Sequence, residues 1–344
     1  MKAALIREHG PVEKVEIATD LPVPEPGPDE VRLRVHAAAL NYLDIWVRNG
    51  WPGIKLTLPH ILGADAAGTI DALGAHVHDW QIGARVAVDP TLSCGECEFC
   101  CTGWENRCAH FRLLGEHVSG TFAEAITVPA RNLIALPDHV SFAEAAAASL
   151  VFVTAWHSLI TRANLRPGES VLVIGAGGGV NTASIQIAKL TGCTVYVVGS
   201  TDEKLKQAQA LGADAIIRRD VEGGWSRAVY QLTAKRGVDV VVDNVGAPTL
   251  NDSLRALARG GRVVTVGNTG GPKVEIDNRL VFGKHLSILG STMGPHRDYV
   301  RVMRLLFKGK LQAVIDSTYP LDEVQTAMAR MEAGELFGKA VLEL

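Results

Sequence analysis

Five of the six cysteines fall between Cys94 and Cys108, in the run CGECEFCCTGWENRC. Cys94, Cys97 and Cys100 are each three residues apart and Cys108 follows eight later, which is C-x2-C-x2-C-x7-C with Cys101 left over. Four thiolates on one short loop suit tetrahedral Zn²⁺, and a filled shell of four cysteines leaves no open position for a substrate. The spacing therefore predicts a structural metal site. Disulfides are not expected, because the N-terminal MKAALIREHG meets Arg7, Glu8 and His9 before an apolar export segment can form, which points to a cytoplasmic protein. Cys193 stands alone before the apolar run Thr194–Val198 and reads as a small buried hydrophobe.

The second pattern that could do chemistry is VLVIGAGGGVNTASIQIAK. An apolar strand feeds a turn containing Gly175, Gly177, Gly178 and Gly179, and Val180 opens a helix. In this context a dinucleotide pyrophosphate rests on the helix N-terminus, and missing side chains let the backbone approach it. A literal G-x-G-x-x-G is absent, since Asn181 stands at the last glycine position. The tip of the next strand selects the cofactor. Sites for NAD place an acid there to bind the ribose 2′-hydroxyl, but this chain has Gly199 and Ser200. Ser200, Thr201 and Lys204 can donate to a 2′-phosphate, so NADPH is expected in preference to NADH. Alternatively, Ser200 only caps the following helix. Asn244, Val245, Val266, Gly267 and Asn268 follow two further apolar runs, at strand ends that would face the cofactor.

These groups must be held by two kinds of structure. Residues 1–135 read as short strands with Pro/Gly punctuation. From 136 to 280 apolar strands alternate with helices, which indicates an α/β domain with a doubly wound parallel sheet. It opens on an Ala-rich helix after Ser141, with Glu144 three residues on as a capping box. Residues 281–344 hold a strand, two helical stretches and a closing strand, Ala340–Leu344. The net charge is −3, so electrostatics favour neither nucleic acid nor a membrane surface as a partner. No apolar run approaches the roughly 20 residues of a membrane helix. The longest, Ala145–Trp156, is interrupted by Ser149 and Thr154.

In their order along the chain, PEPGPDEVRLRVHAAALNYLD, GADAAGTIDALG, the four-Cys loop, GTFAEAITVPA, the turn at Gly175, LGADAIIRRD, VVDNVG and GGRVVTVG resemble the zinc-type medium-chain dehydrogenase/reductase superfamily over essentially the full length. The resemblance implies a GroES-like β-rich catalytic domain, a Rossmann cofactor domain, a tail that returns to the first domain and an active-site cleft between the domains. It also implies a homodimer or homotetramer, built through the apolar segment around His285–Ser291. Alcohol dehydrogenases of this superfamily bind a second, catalytic zinc, and their three ligand positions are Asn41, Ala64 and Leu150 here. The segment ALNYLDIWVRNG is similar to quinone oxidoreductases, with Trp46 where those have Tyr.

The expectation is therefore an NAD(P)H-dependent oxidoreductase that reduces quinones or activated C=C bonds, including enoyl thioesters, with a structural zinc and no catalytic one. The alternatives are a zinc-independent alcohol dehydrogenase or carbonyl reductase, and a non-enzymatic NADPH-binding protein. Asn41 is expected to hydrogen-bond substrate. Tyr42 donates a proton or only packs. Asp44 orients a neighbour or caps a helix. Asp65 binds a polar substrate group or joins an internal pair. His117 is a weaker candidate, and Thr154 matches a family threonine near the cofactor.

Overall fold

The computed structural model describes residues 1–344 and divides into two compact units. The first comprises Met1–Val153 and Gly294–Leu344, the second Thr154–Met293. The expected junctions at 135/136 and 280/281 both move later. The capped helix Phe142–Trp156 spends most of its length in the first unit, and the strand Ser287–Gly290 completes the sheet of the second.

The first unit is built on a seven-stranded sheet. Its path runs Leu133–Ala135, Arg85–Val88, Asp65–Leu73, Glu30–Ala39, Lys339–Glu343 and Ile315–Pro320, with Ala125–Pro129 also paired to Glu30–Ala39. Glu30–Ala39 alternates as a half-buried strand should: Val31, Leu33 and Val35 are buried, while Arg32, Arg34 and His36 are not. Its last residue, Ala39, pairs with Asp65 on one side and Val341 on the other. Three distant stretches of sequence thus converge just before Tyr42–Asn49, which is a helix within a region that reads as strands. The tail returns to this sheet as a strand antiparallel to Glu30–Ala39.

The second unit is a six-stranded, all-parallel sheet ordered Ala215–Arg218, Thr194–Gly199, Ser170–Ile174, Val238–Asp243, Leu257–Thr265, Ser287–Gly290. Val171–Ile174 and Val240–Asp243 are buried throughout, as strands covered on both faces must be. The order reverses between Ser170–Ile174 and Val238–Asp243, the switch point of a doubly wound sheet.

Ser141 and Glu144 form the expected capping box: the Glu144 carboxylate accepts the Ser141 N–H at 2.9 Å, and Ser141 Oγ accepts the Glu144 N–H at 3.2 Å. The helix they start is longer than the apolar run suggests. It continues from Phe142–Trp156 through the π-helical turns His157–Arg162, a 21-residue stretch that is long and apolar enough to cross a membrane by length and composition. Of its apolar 18-residue window, 78% is buried inside the protein, as in a core helix.

Candidate active site and metal centre

In the four-cysteine loop Cys94, Cys97, Cys100 and Cys108 hold their sulfurs within 4.8 Å of one another. Neighbouring Sγ–Sγ distances are 3.5 Å (Cys97–Cys100), 3.5 Å (Cys94–Cys108), 3.8 Å (Cys97–Cys108) and 3.9 Å (Cys94–Cys100). A regular tetrahedron around zinc, with Zn–S about 2.3 Å, has edges of about 3.8 Å, so the cluster fits a structural zinc. Backbone N–H groups of Cys97 and His110 donate to Cys94 Sγ and Cys108 Sγ at 3.4 and 3.3 Å, bonds that favour thiolates. All six cysteines are free, and Cys101 points its thiol at the Glu96 carbonyl. Cys193 is buried, as expected.

A second cluster forms where Glu30–Ala39 ends. Asn41 is the N-cap of the helix Tyr42–Asn49, and Asp44 in the first turn accepts the Asn41 N–H at 2.7 Å. Asp44 therefore caps the helix. Its carboxyl is fully buried, and burial pushes its pKa up to about 7 against the lowering pull of the Asn41 N–H and the Lys339 ammonium. Asp65 is also fully buried. Its Oδ1 accepts the Leu150 N–H at 2.7 Å, and its Oδ2 accepts Asn41 Nδ2 at 2.8 Å and Lys339 Nζ at 3.0 Å. Asn41 Oδ1 accepts Lys339 Nζ at 2.5 Å, and Nδ2 also donates to the Ala39 carbonyl at 3.3 Å.

Both N–H groups of the Asn41 amide are thus taken inside the chain, and its oxygen accepts the Lys339 ammonium with one lone pair left. Asp65 sits in an internal network. Tyr42 is half-buried, with its ring edge-on to Trp46 at 5.4 Å. His117 is a loop residue whose Nδ1 accepts the Leu113 N–H. Of the three positions where the resemblance places zinc ligands, only Asn41 carries a donor atom. Ala64 offers a methyl group and Leu150 an aliphatic side chain.

Sequence reasoning does not find Lys339. It stands one residue before the tail strand expected at Ala340–Leu344, and a lone lysine at a strand end gives no signal in sequence. Only the antiparallel register that sets Val341 opposite Ala39, and so carries Lys339 to Asn41, reveals the contact.

The candidates for cofactor binding lie in the second unit. The helix Gly179–Leu190 begins at Gly178, which has no side-chain cap, so its first N–H groups stay available to an anion. Gly175 has φ +99°, and a Cβ there would lie 2.7 Å from Asn181 Nδ2. Asn181, in place of the last motif glycine, ties the turn together: Nδ2 donates to the Ile174 carbonyl at 3.0 Å and Oδ1 accepts Asn244 Nδ2 at 3.0 Å, across the switch point. The segment from Val245 onward is shaped by Asp243. This buried carboxylate accepts the N–H groups of Val245 and Gly246 and the hydroxyls of Thr249 and Ser253. Val266, Gly267 and Asn268 follow the next strand, and a Cβ on Gly267 would come 3.0 Å from the Asn244 carbonyl oxygen. Thr154 is buried, with Oγ1 at 3.6 Å from Met293 Sδ.

At the strand tip, Gly199 has steric grounds as well: a Cβ there would lie 2.8 Å from Leu205 and 3.1 Å from Ala176 Cβ. The helix Asp202–Ala210 is capped by Thr201, whose side chain accepts the Lys204 N–H at 3.3 Å. Ser200 is exposed and is not the cap. Arg218, within LGADAIIRRD, pairs in register with Gly199, a placement that the sequence does not signal. Its guanidinium is held by Asp202 at 3.2 Å and Asp220 at 2.8 Å. A carboxylate therefore stands close to the strand tip after all, paired with an arginine that it shares with Asp220.

Comparison with known proteins matches residues 27–138 to the alcohol dehydrogenase GroES-like domain and residues 179–308 to the zinc-binding dehydrogenase domain. The chain is 31% identical to an NAD-dependent alcohol dehydrogenase of Sulfolobus acidocaldarius, covering 100% of both chains. It is 30% identical to the human quinone oxidoreductase, over 100% of this chain and 98% of that one. It is 33% identical to an acryloyl-coenzyme A reductase of Metallosphaera sedula, over 99% of each. Among solved structures, one described as an NAD-dependent alcohol dehydrogenase superposes with a TM-score of 0.96 at 43% identity, over 100% of both chains.

Proposed function

On the premise that the chain belongs to the zinc-type medium-chain dehydrogenase/reductase superfamily, we propose that it is an NADPH-dependent reductase of quinones or activated C=C bonds that works without a catalytic zinc. The observation that carries this reading is the Asn41–Asp65–Lys339 network. At the positions of the three family ligands the chain offers one amide oxygen and two hydrocarbon groups, and the adjacent carboxylate already accepts three hydrogen bonds. A catalytic zinc takes three protein ligands and an open position, and this donor set does not fit one. A divalent ion would also stand beside a buried ammonium. Reducing a simple ketone creates a localised alkoxide, which calls for a Lewis acid. Reducing an enone or quinone spreads the charge over an enolate or phenolate, which hydrogen bonds stabilise.

The nicotinamide supplies a hydride when bound. The helix N-terminus at Gly178–Gly179 and the turn held by Asn181 would receive its pyrophosphate, and Asp243 keeps the Asn244–Thr249 loop in shape beside it. No acid stands at Gly199 or Ser200, and the nearby Asp202 carboxylate is paired with Arg218, so Ser200, Thr201 and Lys204 favour a 2′-phosphate. Four cysteines would hold the structural zinc, and two copies would pair along the strand Ser287–Gly290.

The test is steady-state turnover with NADPH and with NADH on 1,4-benzoquinone, 2-cyclohexenone and a panel of primary and secondary alcohols, before and after mild chelation. Enone or quinone reduction that prefers NADPH and survives chelation is expected. Robust alcohol oxidation that chelation abolishes and zinc restores would replace this reading with that of a zinc alcohol dehydrogenase. Two of the similar proteins are named NAD-dependent, so an NADH preference would place this chain with them.

A further inference from the structure

The Asn41–Asp65–Lys339 network has one hydrogen-bond donor left over. Lys339 is only 4% exposed. An ammonium carries three N–H groups. Two are taken by Asn41 Oδ1 and Asp65 Oδ2, and no acceptor in the chain takes the third. A buried charged donor short of a partner is costly. The fold maintains this one by converging three separate segments: the end of Glu30–Ala39, the start of Asp65–Leu73 and the start of Lys339–Glu343. The Leu150 N–H and the Asn41 amide, both from positions where zinc relatives carry ligands, meet on the same Asp65 carboxylate that grips the ammonium. A single positive charge with one unused donor therefore lies among residues whose family counterparts hold a divalent cation.

We propose that Lys339 is a catalytic residue, the cation of this reaction centre, and that its third N–H hydrogen-bonds the substrate oxygen on which negative charge gathers during reduction. This rests on the reductase reading above. Addition of hydride to the β-carbon of an enone forms one C–H bond, and the C=C π pair shifts so that the carbonyl oxygen becomes an enolate. The substrate gains two electrons and the nicotinamide is oxidised. The ammonium holds the enolate oxygen and stays protonated, and water supplies the proton that closes on the α-carbon. Asp65 and Asn41 keep the ammonium in place. A single preorganised donor of this kind is worth on the order of 100- to 1,000-fold in rate.

The experiment uses the full chain carrying its zinc. 4-Nitrophenol, whose phenolate resembles the enolate in charge and delocalisation, is titrated against the complex with oxidised cofactor and followed by its visible absorbance. Turnover of 2-cyclohexenone and affinity for NADPH are measured alongside. In Lys339→Met, kcat/KM is expected to fall on the order of 100-fold or more, phenolate binding to fall by a similar factor and NADPH affinity to stay within about twofold. Lys339→Arg should recover part of both losses. Because Lys339→Met strands the Asp65 carboxylate, the double variant Asp65→Asn/Lys339→Met serves as the control for folding. It should regain the thermal midpoint of the wild type but not the phenolate binding. A folded Lys339→Met protein with unchanged phenolate binding and turnover overturns the proposal, and so does one that loses only NADPH affinity, since the cation would then serve the cofactor. A wild type that binds the phenolate through Lys339 yet reduces no enone or quinone would instead overturn the reductase reading and leave this site standing.

Discussion

Asp44 is a carboxyl that the fold holds away from water, with Lys339 and Asp65 as its charged neighbours and the Asn41 N–H as its donor. Its pKa rises to about 7 in the folded chain, chiefly through burial, from the ordinary 3.8. Folding therefore favours the protonated form. The stabilisation is complete below about pH 4 and is lost as pH rises towards 7, at most about 4 kcal/mol across that window. Asp44→Asn keeps an oxygen to accept the Asn41 N–H but has no proton to lose. Urea unfolding of both proteins between pH 4 and 8 should show wild-type stability falling relative to the variant as pH rises. Parallel curves would mean that Asp44 is ionised throughout. Subtracting the curves removes the other titrating groups, including His296, which is half-buried against Asp89 and titrates in both proteins.

The four-cysteine loop gathers four sulfurs within 4.8 Å of one another, the arrangement that fits a structural zinc. It contains one turn of helix, Glu98–Cys101, and one of 3-10 helix, Glu105–Arg107, with little apolar burial of its own. A metal that binds the folded loop and not the unfolded one contributes its binding energy to folding. With the zinc bound as proposed, Cys94→Ser should release it and lower the thermal midpoint by several degrees while kcat per folded molecule stays within about twofold. Metal analysis, calorimetry and initial rates on one preparation check this. Loss of activity in a protein that still melts at the wild-type temperature would give the loop a role in the chemistry. This element is legible in the sequence because four cysteines at such close, regular spacing seldom occur except around a metal. The parallel sheet is legible too, since its strands are continuous apolar runs. The helices Tyr42–Asn49, Trp225–Leu232 and Asn278–Lys284 are not. Each is only seven or eight residues long, so its periodicity spans barely two turns and tertiary packing decides it. The Lys339 contact is hidden for a different reason. It joins residues 298 positions apart, and only the pairing of Ala39 with both Asp65 and Val341 brings them together.

For the molecule as a whole, the proposed pairing of two copies rests on the exposed edges of the parallel sheet. One edge strand, Ala215–Arg218, ends in the Arg218 ion pairs with Asp202 and Asp220, and charge at an edge discourages pairing. The other, Ser287–Gly290, holds no ion pair, and its one charged contact is the Arg162 guanidinium donating to the Gly290 carbonyl at 2.9 Å. Ile288 on it is 39% exposed, and Phe282 on the preceding helix is 66% exposed. In the proposed dimer a second copy would pair with this edge antiparallel across a two-fold axis, giving one continuous sheet with twice the six strands of a single copy. Light scattering of the wild type should then give at least twice the 36.7 kDa chain mass. Ile288→Lys, which puts a charge on each side of the axis, should shift the mass to that of one chain and leave the circular dichroism unchanged. Cofactor affinity should survive, because the turn at Gly175 and the Asn181–Asn244 bond lie well inside the sheet from that edge. A wild type that scatters as a single chain at working concentration would leave the edge unpaired and the expectation of an oligomer wrong. An Ile288→Lys protein that keeps the larger mass would move the interface to another surface.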